Sequence, residues 1–592
     1  MRRVVACALA GALGLASTAS HGALLTGPLL AQSGPAACDL MSTDPVQVRN
    51  DLVSAQRKAS STLLLRFLQF TDDHIIDDDG QALIGLSVID PLHPQFESAM
   101  RLQEEYSDEL LNNVIGRVNQ CNAKYPSEFM VVTGDSADMT TVAETRRFID
   151  NLDGTFDQMS AFETACRAKL PAGTTEAVYK AKCTRFTGRG VADTQTVDPD
   201  PDSIIYQPLM TRTLLQMLAT ESAATTGRAA NGSTDFRRQT ATRAPGLPQS
   251  LRCKAGTLGC ANKRIAMPWY IVFGNHDGYV RGTLPLDVPV NVAVETFGRH
   301  FMLRQGEFVR EFFNTSPTPG PVGHGFNHVE PARLNDADDR NDGYYAWNAG
   351  GGKLRMIVMN TIVDGVDERI PTEMLRNPFA LADGSMDSAQ FAWLKDQLET
   401  AYANEQLVVV FSHHPDVTFA EYGTFAALVP IDVTAVQLDG LLASYPNVIA
   451  WVAGHTHRHR IRPFKVTGDT GTNGTISAPV ACKQANACKG FWQIETASLI
   501  DYPQEQRLIE VYDNKDGTGT ILGPVLTHSF ERARPLAEAD DRCALYLADP
   551  ASLEVLLTEA DLAALCSGGG TRQGQPTDRN VELGFKMPVF PD

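Results

Sequence analysis

Six short apolar runs punctuate the chain, and each stops at a polar tip. They are LLLRFLQFTDDH (63–74), FMVVTGDSAD (129–138), MPWYIVFGNHD (267–277), KLRMIVMNT (353–361), LVVVFSHHP (407–415) and VIAWVAGHTH (448–457). Runs this continuous read as strands buried on both faces, as in sheets covered by helices. Helical patterns lie between them, notably FESAMRLQEEYSDELLNNVIGRV (96–118) and DSAQFAWLKDQLETAYA (387–403). In the second, Asp387 stands at the start and Phe391, Leu394 and Leu398 form a core-facing stripe. Alternating strands and helices predict an α/β architecture, in which ligands collect beyond the carboxyl ends of strands, where these polar tips sit.

Elsewhere the pattern changes. Residues 155–262 are rich in Thr, Ala, Ser and Gly, include DPDPDS (198–203) and carry four cysteines; they read as an insertion tied down by disulfides. The flanking stretches, 61–154 and 263–500, form the main domain, preceded by an extension over 20–60. Beyond it, 501–592 holds two strands that look like edges (507–514 and 520–530), a helix candidate (549–566) and a mobile tail after Ser567.

Composition adds boundaries. The 592 residues are 43% hydrophobic and 20% charged, ordinary for a large globular chain. A net charge of -19 argues against nucleic acid as the main partner, yet leaves anionic substrates open, because bound cations reverse the local sign. MRRVVACALAGALGLASTAS reads as a signal peptide over 1–19: a basic pair, an apolar stretch and a small-residue cleavage site. No later segment is long and apolar enough to span a membrane. Export is expected, to periplasm, cell surface or medium. Cleavage removes Cys7 and leaves ten cysteines, an even number that suits an oxidising compartment. Proximity suggests bridges 166–183, 253–260, 482–488 and 543–566, with 38–121 left over. The oligomeric state is not legible.

The chemistry sits at the strand tips. Five pieces occur in order: D-x-H at Asp72/His74, G-D-x-x-D at Gly134 to Asp138, G-N-H-D at Gly274 to Asp277, H-H-P at His413 to Pro415, and G-H-T-H at Gly454 to His457. Any one alone fits a turn or a helix cap. A given four-letter word arises in a chain this long with a probability of roughly half a per cent, so GNHD and GHTH together, in order, are not chance. Histidines and carboxylates so grouped suit a pair of metal ions. D-x-H and H-x-H place alternate side chains on one side of an extended tip.

In these motifs the chain resembles the calcineurin-like metallophosphoesterase superfamily over about 63 to 460; MIVMNT and AQFAWLKDQL resemble two further strips of it. The resemblance implies two β-sheets packed as a sandwich flanked by helices, a four-layer α/β/β/α fold. It implies hydrolysis of a small-molecule phosphate ester, monoester or diester, by a hydroxide activated between two metal ions, without a covalent enzyme intermediate. Manganese, iron and zinc all suit the donor set. Position by position, Asp72, His74 and His457 would hold the first ion and Asn275, His413 and His455 the second, with Asp135 bridging. His276 would act on the leaving group, held by Asp277, and His414 would touch phosphate. Asp73 would point away, and Asp77, Asp78 and Asp79 would form a solvated turn. Purple acid phosphatases carry a tyrosine where Asp138 stands, so a tyrosinate-bound ferric ion is not expected. A phosphodiesterase specific for cyclic nucleotides or glycerophosphodiesters, and a catalytically silent metal-binding surface protein of the same fold, are the alternatives.

Smaller features read more plainly. ETASLIDYPQ (495–504) is an ordinary strand-to-turn transition, with pocket lining as the alternative. His459 is a surface polar residue, with a substrate-facing role as the alternative. AGGGKL (349–354) is a turn into a strand, since Trp347 stands where a P-loop needs its first glycine.

Overall fold

The structure, a computed structural model, describes residues 42–75, 107–138, 140, 142–153, 264–279, 282, 305–313, 320–330, 343–362, 382–419, 432–466, 481–484, 487–528, 537 and 572–590. The signal peptide, the run Asp77 to Asp79, the 155–262 insertion and the 549–566 helix candidate lie outside them.

Two mixed sheets carry the fold. The first is built from β1 (Gln47–Arg49), β2 (Thr62–Phe70), β3 (Phe129–Val132), β4 (Trp269–Ile271), β11 (Gln506–Asp513), β12 (Thr518–Gly523), β13 (Val525–Leu526) and β14 (Val581–Lys586). Its order is β1-β14-β12-β11-β2-β3-β4, with β13 beside β11. The second contains β5 (Tyr345–Ala349), β6 (Leu354–Val358), β7 (Leu407–Phe411), β8 (Val448–Ala453), β9 (Arg460–Lys465) and β10 (Gly490–Glu495), in the order β5-β6-β7-β8-β10-β9. All six apolar runs are strands, and β2-β3-β4 and β6-β7-β8 are parallel triplets.

Alternation explains the layers. Phe67, Phe129 and Tyr270 face the second sheet: Phe67 meets Phe411 edge-on at 5.7 Å, and Tyr270 stacks on Trp347 at 4.1 Å. Their neighbour Trp269 points the other way, against Phe148 of α2 (Val142–Asp153). That outer side also takes α1 (Ser107–Lys124), whose buried Leu110, Leu111 and Val114 join the same cluster. On β7, Val409 and Phe411 enter the inter-sheet core, while Val408 and Val410 pack with Leu394 and Leu398 of α4 (Ser388–Ala403) and Leu438 of α5 (Ala435–Ala443). Each such side chain contributes about 1.5–3 kcal/mol by leaving water, so strands buried on both faces anchor their tips firmly. The capping residue of α4 is Asp387, whose carboxylate accepts from the Gln390 N–H at 2.6 Å.

Two expectations fail here. The strands read as edges, β11 and β12, lie inside the first sheet, β11 between β2 and β12. The tail expected to be mobile after Ser567 supplies β14, which pairs with both β12 and β1. The short run VELGFK gives little signal alone because its partners lie far away in sequence. Of the suggested bridges, Cys482–Cys488 is formed, and Cys121 is disulfide-bonded as well; the other pairings involve cysteines outside the described residues. No helix among the described residues is long and apolar enough to cross a membrane.

Candidate metal centre

The carboxyl ends of β2, β3 and β4 from one sheet and of β7 and β8 from the other converge on one buried place. Asp72 and His74 follow β2, Asp135 follows β3, and Asn275 and His276 open the short helix α3 (Asn275–Gly278) after β4. His413 follows β7, and His455 and His457 follow β8. The tips are not extended. Asp72, His74, Asp135, His455 and His457 have φ of 54°, 45°, 54°, 66° and 54°, the left-handed region that residues with a side chain rarely adopt. Cross-links between the tips hold these turns. The Asp72 N–H donates to the Gly134 carbonyl at 3.0 Å, and His74 and Gly454 donate likewise to Asp135 and His413. So the chain curls, and alternate side chains meet at a point rather than along a line.

The donor atoms fall into two adjoining groups. In the first, Asp72 Oδ1 lies 3.1 Å from His457 Nε2, and the Nε2 atoms of His74 and His457 are 3.4 Å apart. Asp72 Oδ2 is held by Thr71 Oγ1 at 2.7 Å and by the His455 N–H at 3.0 Å. That leaves Oδ1, which is buried and accepts no conventional hydrogen bond, aimed at the imidazoles. In the second group, Asn275 Oδ1 is 2.9 Å from His413 Nε2 and 3.1 Å from His455 Nδ1. The Asn275 amide donates to the Gly282 carbonyl, which turns its oxygen inward. Asp135 stands between the groups: Oδ1 accepts from the His276 N–H at 2.8 Å, while Oδ2 lies 3.2 Å from His413 Nε2 and 3.6 Å from His74 Nε2. Carboxylate, amide and imidazole atoms crowded at these distances, most of them buried, fit cations in both places.

Charge follows from this crowding. Burial pushes the Asp72 carboxyl up, but the facing His457 and His413 rings pull it down further, to about 2. Burial pushes His413 down, and Asp135 and Asp72 more than offset that, raising it to about 9. His455 is held down to about 3, by burial and then by the neighbouring His413.

Three assignments from the sequence need correction. Asp277 does not hold His276. Its Oδ2 accepts from the Asp135 and Gly274 N–H groups and its Oδ1 from the Ser136 N–H, Ser136 hydroxyl and Ala137 N–H, so it builds the bed under Asp135. His276 instead donates from Nδ1 to the Asp138 carbonyl at 2.8 Å, and Asp138 Oδ1 stands 3.6 Å away. His414 has both nitrogens engaged, Nδ1 with Thr361 Oγ1 at 2.9 Å and Nε2 with the Ala382 carbonyl at 3.0 Å, so neither is left for phosphate. His459 is neither surface nor substrate-facing: it is buried, with Nε2 3.1 Å from Glu505 and Nδ1 3.1 Å from an Arg507 nitrogen. Asp73 belongs to neither group, but it is buried.

Two residues of the site went unassigned from sequence. Asp138 faces both His74 Nδ1, at 3.2 Å, and His276, and its place in the G-D-x-x-D strip was a usable signal. Asp501 Oδ2 lies 2.5 Å from His457 Nδ1, so the ETASLIDYPQ turn lines the centre rather than merely leaving a strand. The glycines of the motifs have a steric cause, as at Gly274, where a Cβ would fall 2.2 Å from Asp135 Oδ1.

A family model described as calcineurin-like phosphoesterase matches residues 249–459. Among solved structures, a dimetal phosphatase from Danio rerio is similar at a TM-score of 0.33 and 12% identity, covering 79% of this chain and 100% of its own. No curated protein sequence matches this chain.

Proposed function

We propose that this chain, which belongs to the calcineurin-like phosphoesterase family and is a metal-dependent phosphoesterase, hydrolyses small-molecule phosphate esters at a two-cation centre. In it Asp72, His74 and His457 would hold one cation, Asn275, His413 and His455 the other, and Asp135 would serve both. The observation that carries this reading is the position of Asp135 Oδ2, within 3.6 Å of an imidazole nitrogen from each group. A bound cation pair lowers the pKa of water and neutralises charge on an in-line phosphoryl transition state. Manganese, iron and zinc fit the donor set.

The chain's own residues supply the rest. Asp277 fixes the Asp135 loop through main-chain donors, so the shared carboxylate does not reorganise during the reaction. His276 donates its Nδ1–H to the Asp138 carbonyl, which sets the orientation of the ring, and in its doubly protonated form it would act on the leaving-group oxygen as proton donor.

The test is hydrolysis of a chromogenic phosphomonoester beside its diester, with protein stripped of metal and reloaded with manganese, iron or zinc. Metal-dependent turnover of either ester, absent in Asp135→Asn, supports the reading, and the preferred ester fixes the substrate class. Full activity in Asp135→Asn would overturn it, and bound metal without turnover of either ester would favour the silent metal-binding alternative.

We also propose that the protein is exported. The N-terminal pattern and the Cys482–Cys488 bridge support this. N-terminal sequencing of the mature protein should begin after Ala19; an intact Met1 on protein recovered only from cytoplasm would refute it.

A further inference from the structure

We propose that Arg572, carried by the segment 572–580, is a positioning residue for the half of the centre that contains Asp72, His74 and His457. The inference rests on the two-cation reading above. Arg572 Nη1 lies 3.1 Å from Asp501 Oδ2, and that same oxygen lies 2.5 Å from His457 Nδ1. Guanidinium, carboxylate and imidazole thus form one line ending at the cation-facing Nε2 of His457. Asp501 is 1% exposed and the Arg572 side chain 21%. The turn that carries Asp501 serves the same half again. Ser498 Oγ donates to the Asp72 carbonyl at 2.8 Å and accepts from the Asp501 N–H.

Arg572 is itself held in place. The His459 N–H, two residues beyond His457, donates to the Arg572 carbonyl at 3.0 Å. Gly574 has φ 74°, and a Cβ there would lie 2.2 Å from the His459 carbonyl oxygen, so only glycine permits this approach. Further along, Arg579 grips Glu505 through two bonds of 2.8 Å and also pairs with Asp44. Arg507 donates to the carbonyls of Asp578 and Arg579 at 2.7 and 2.6 Å, and the Ile461 N–H donates to Asp578 Oδ1 at 3.0 Å. A clamp this dense fixes the main chain that carries Arg572 relative to the residues after His457, and the guanidinium reaches Asp501 from there.

The physical role follows from what an imidazole ligand needs. Its orientation is set by the partner of its other nitrogen, and loss of such a partner weakens metal affinity about 10- to 100-fold. Here the partner is a buried carboxylate, which stays in place only while its own charge is compensated. Arg572 lies outside residues 249–459, so the family match does not reach it.

Calorimetric titration of the metal-stripped full-length protein with zinc or manganese alone tests this. Wild type should show two binding events, and His457→Ala identifies the one belonging to this half. Arg572→Ala should weaken that event about 10- to 100-fold and spare the other, with Arg572→Lys recovering most of the loss. The double variant Asp501→Asn/Arg572→Ala should be no weaker than Asp501→Asn alone, because both act through one line. Unchanged affinity in Arg572→Ala overturns the proposal. So does equal weakening of both events together with a lower melting temperature of the metal-free protein, the result of a merely structural role. If Arg572→Ala does not fold, Arg572→Gln takes its place with the same two outcomes. A wild type that binds fewer than two equivalents overturns the two-cation reading itself, which separates that failure from this one.

Discussion

In the half of the centre built from Asp72, His74 and His457, both imidazoles are backed by carboxylates, Asp138 behind His74 and Asp501 behind His457. In the half built from Asn275, His413 and His455, the backing of His413 is a neutral main-chain carbonyl, that of Thr133 at 2.7 Å. The first half also owns a charged donor, Asp72, where the second has the amide of Asn275. The two therefore share a shape but not a charge. Carboxylate-backed imidazoles are the more basic ligands, so the first half should fill at lower metal concentration. Equal affinity for both equivalents would show that the two halves do not differ in charge as described.

The largest effect is expected where the halves meet. Asp135→Asn should lower turnover by about a hundred- to a thousandfold, on the scale of losing a group aimed at the transition state, and should weaken both binding events. A loss confined to one event would show that Asp135 is not shared. Next comes the clamp behind the first half. Burial pushes the Glu505 carboxyl up, but His459 and Arg579 pull it further down, to about 2 from an ordinary 4.5. A depressed carboxylate contributes stability above its unfolded pKa and loses it as pH falls through the folded value. Glu505 should thus supply roughly 3 kcal/mol at pH 7, lost between about pH 4.5 and 2. Urea unfolding of metal-free Glu505→Gln should show a shallower acid limb than wild type; parallel limbs would refute the assignment. The second half responds to pH differently. With His413 raised to about 9, it carries a proton at neutral pH that a cation must displace. The event lost in His413→Ala should weaken about tenfold per pH unit below 9, with proton release visible in buffers of different ionisation enthalpy. Affinity independent of pH would contradict it. The smallest effect belongs to neither half: Asp78→Ala should leave turnover and both affinities unchanged, and a clear loss would extend the first half into the acidic run.

How much of this was legible follows from how far each contact reaches along the chain. Strand tips announce themselves, because a doubly buried strand is a continuous apolar run and a donor must follow it directly. The words around Asp72, Asp135, Asn275, His413 and His455 were therefore readable. What lay behind them was not. Asp277 sits beside His276 in sequence, yet its oxygens serve the Asp135 loop, because α3 turns its side chain under that loop. His459 looked solvated between two arginines, but Arg507, Glu505 and the 572–580 segment close over it. Asp501 and Arg572 act through a turn and a clamp whose members are scattered from Asp44 to Arg579, and no local periodicity encodes such a meeting.

One pairing has a consequence in time. Gln47 stands opposite Val581, and β14 is wedged between β1 and β12. Every donor of the cation pair has been synthesised once residue 457 is made, but the first sheet cannot close, nor the clamp seat itself, until synthesis has passed Lys586. Contacts of such sequence separation form slowly, after local ones. The segment behind Asp501 therefore reaches its place only after every donor of the cation pair exists, and a nascent chain still short of it would carry a full set of donors with no Arg572 behind Asp501.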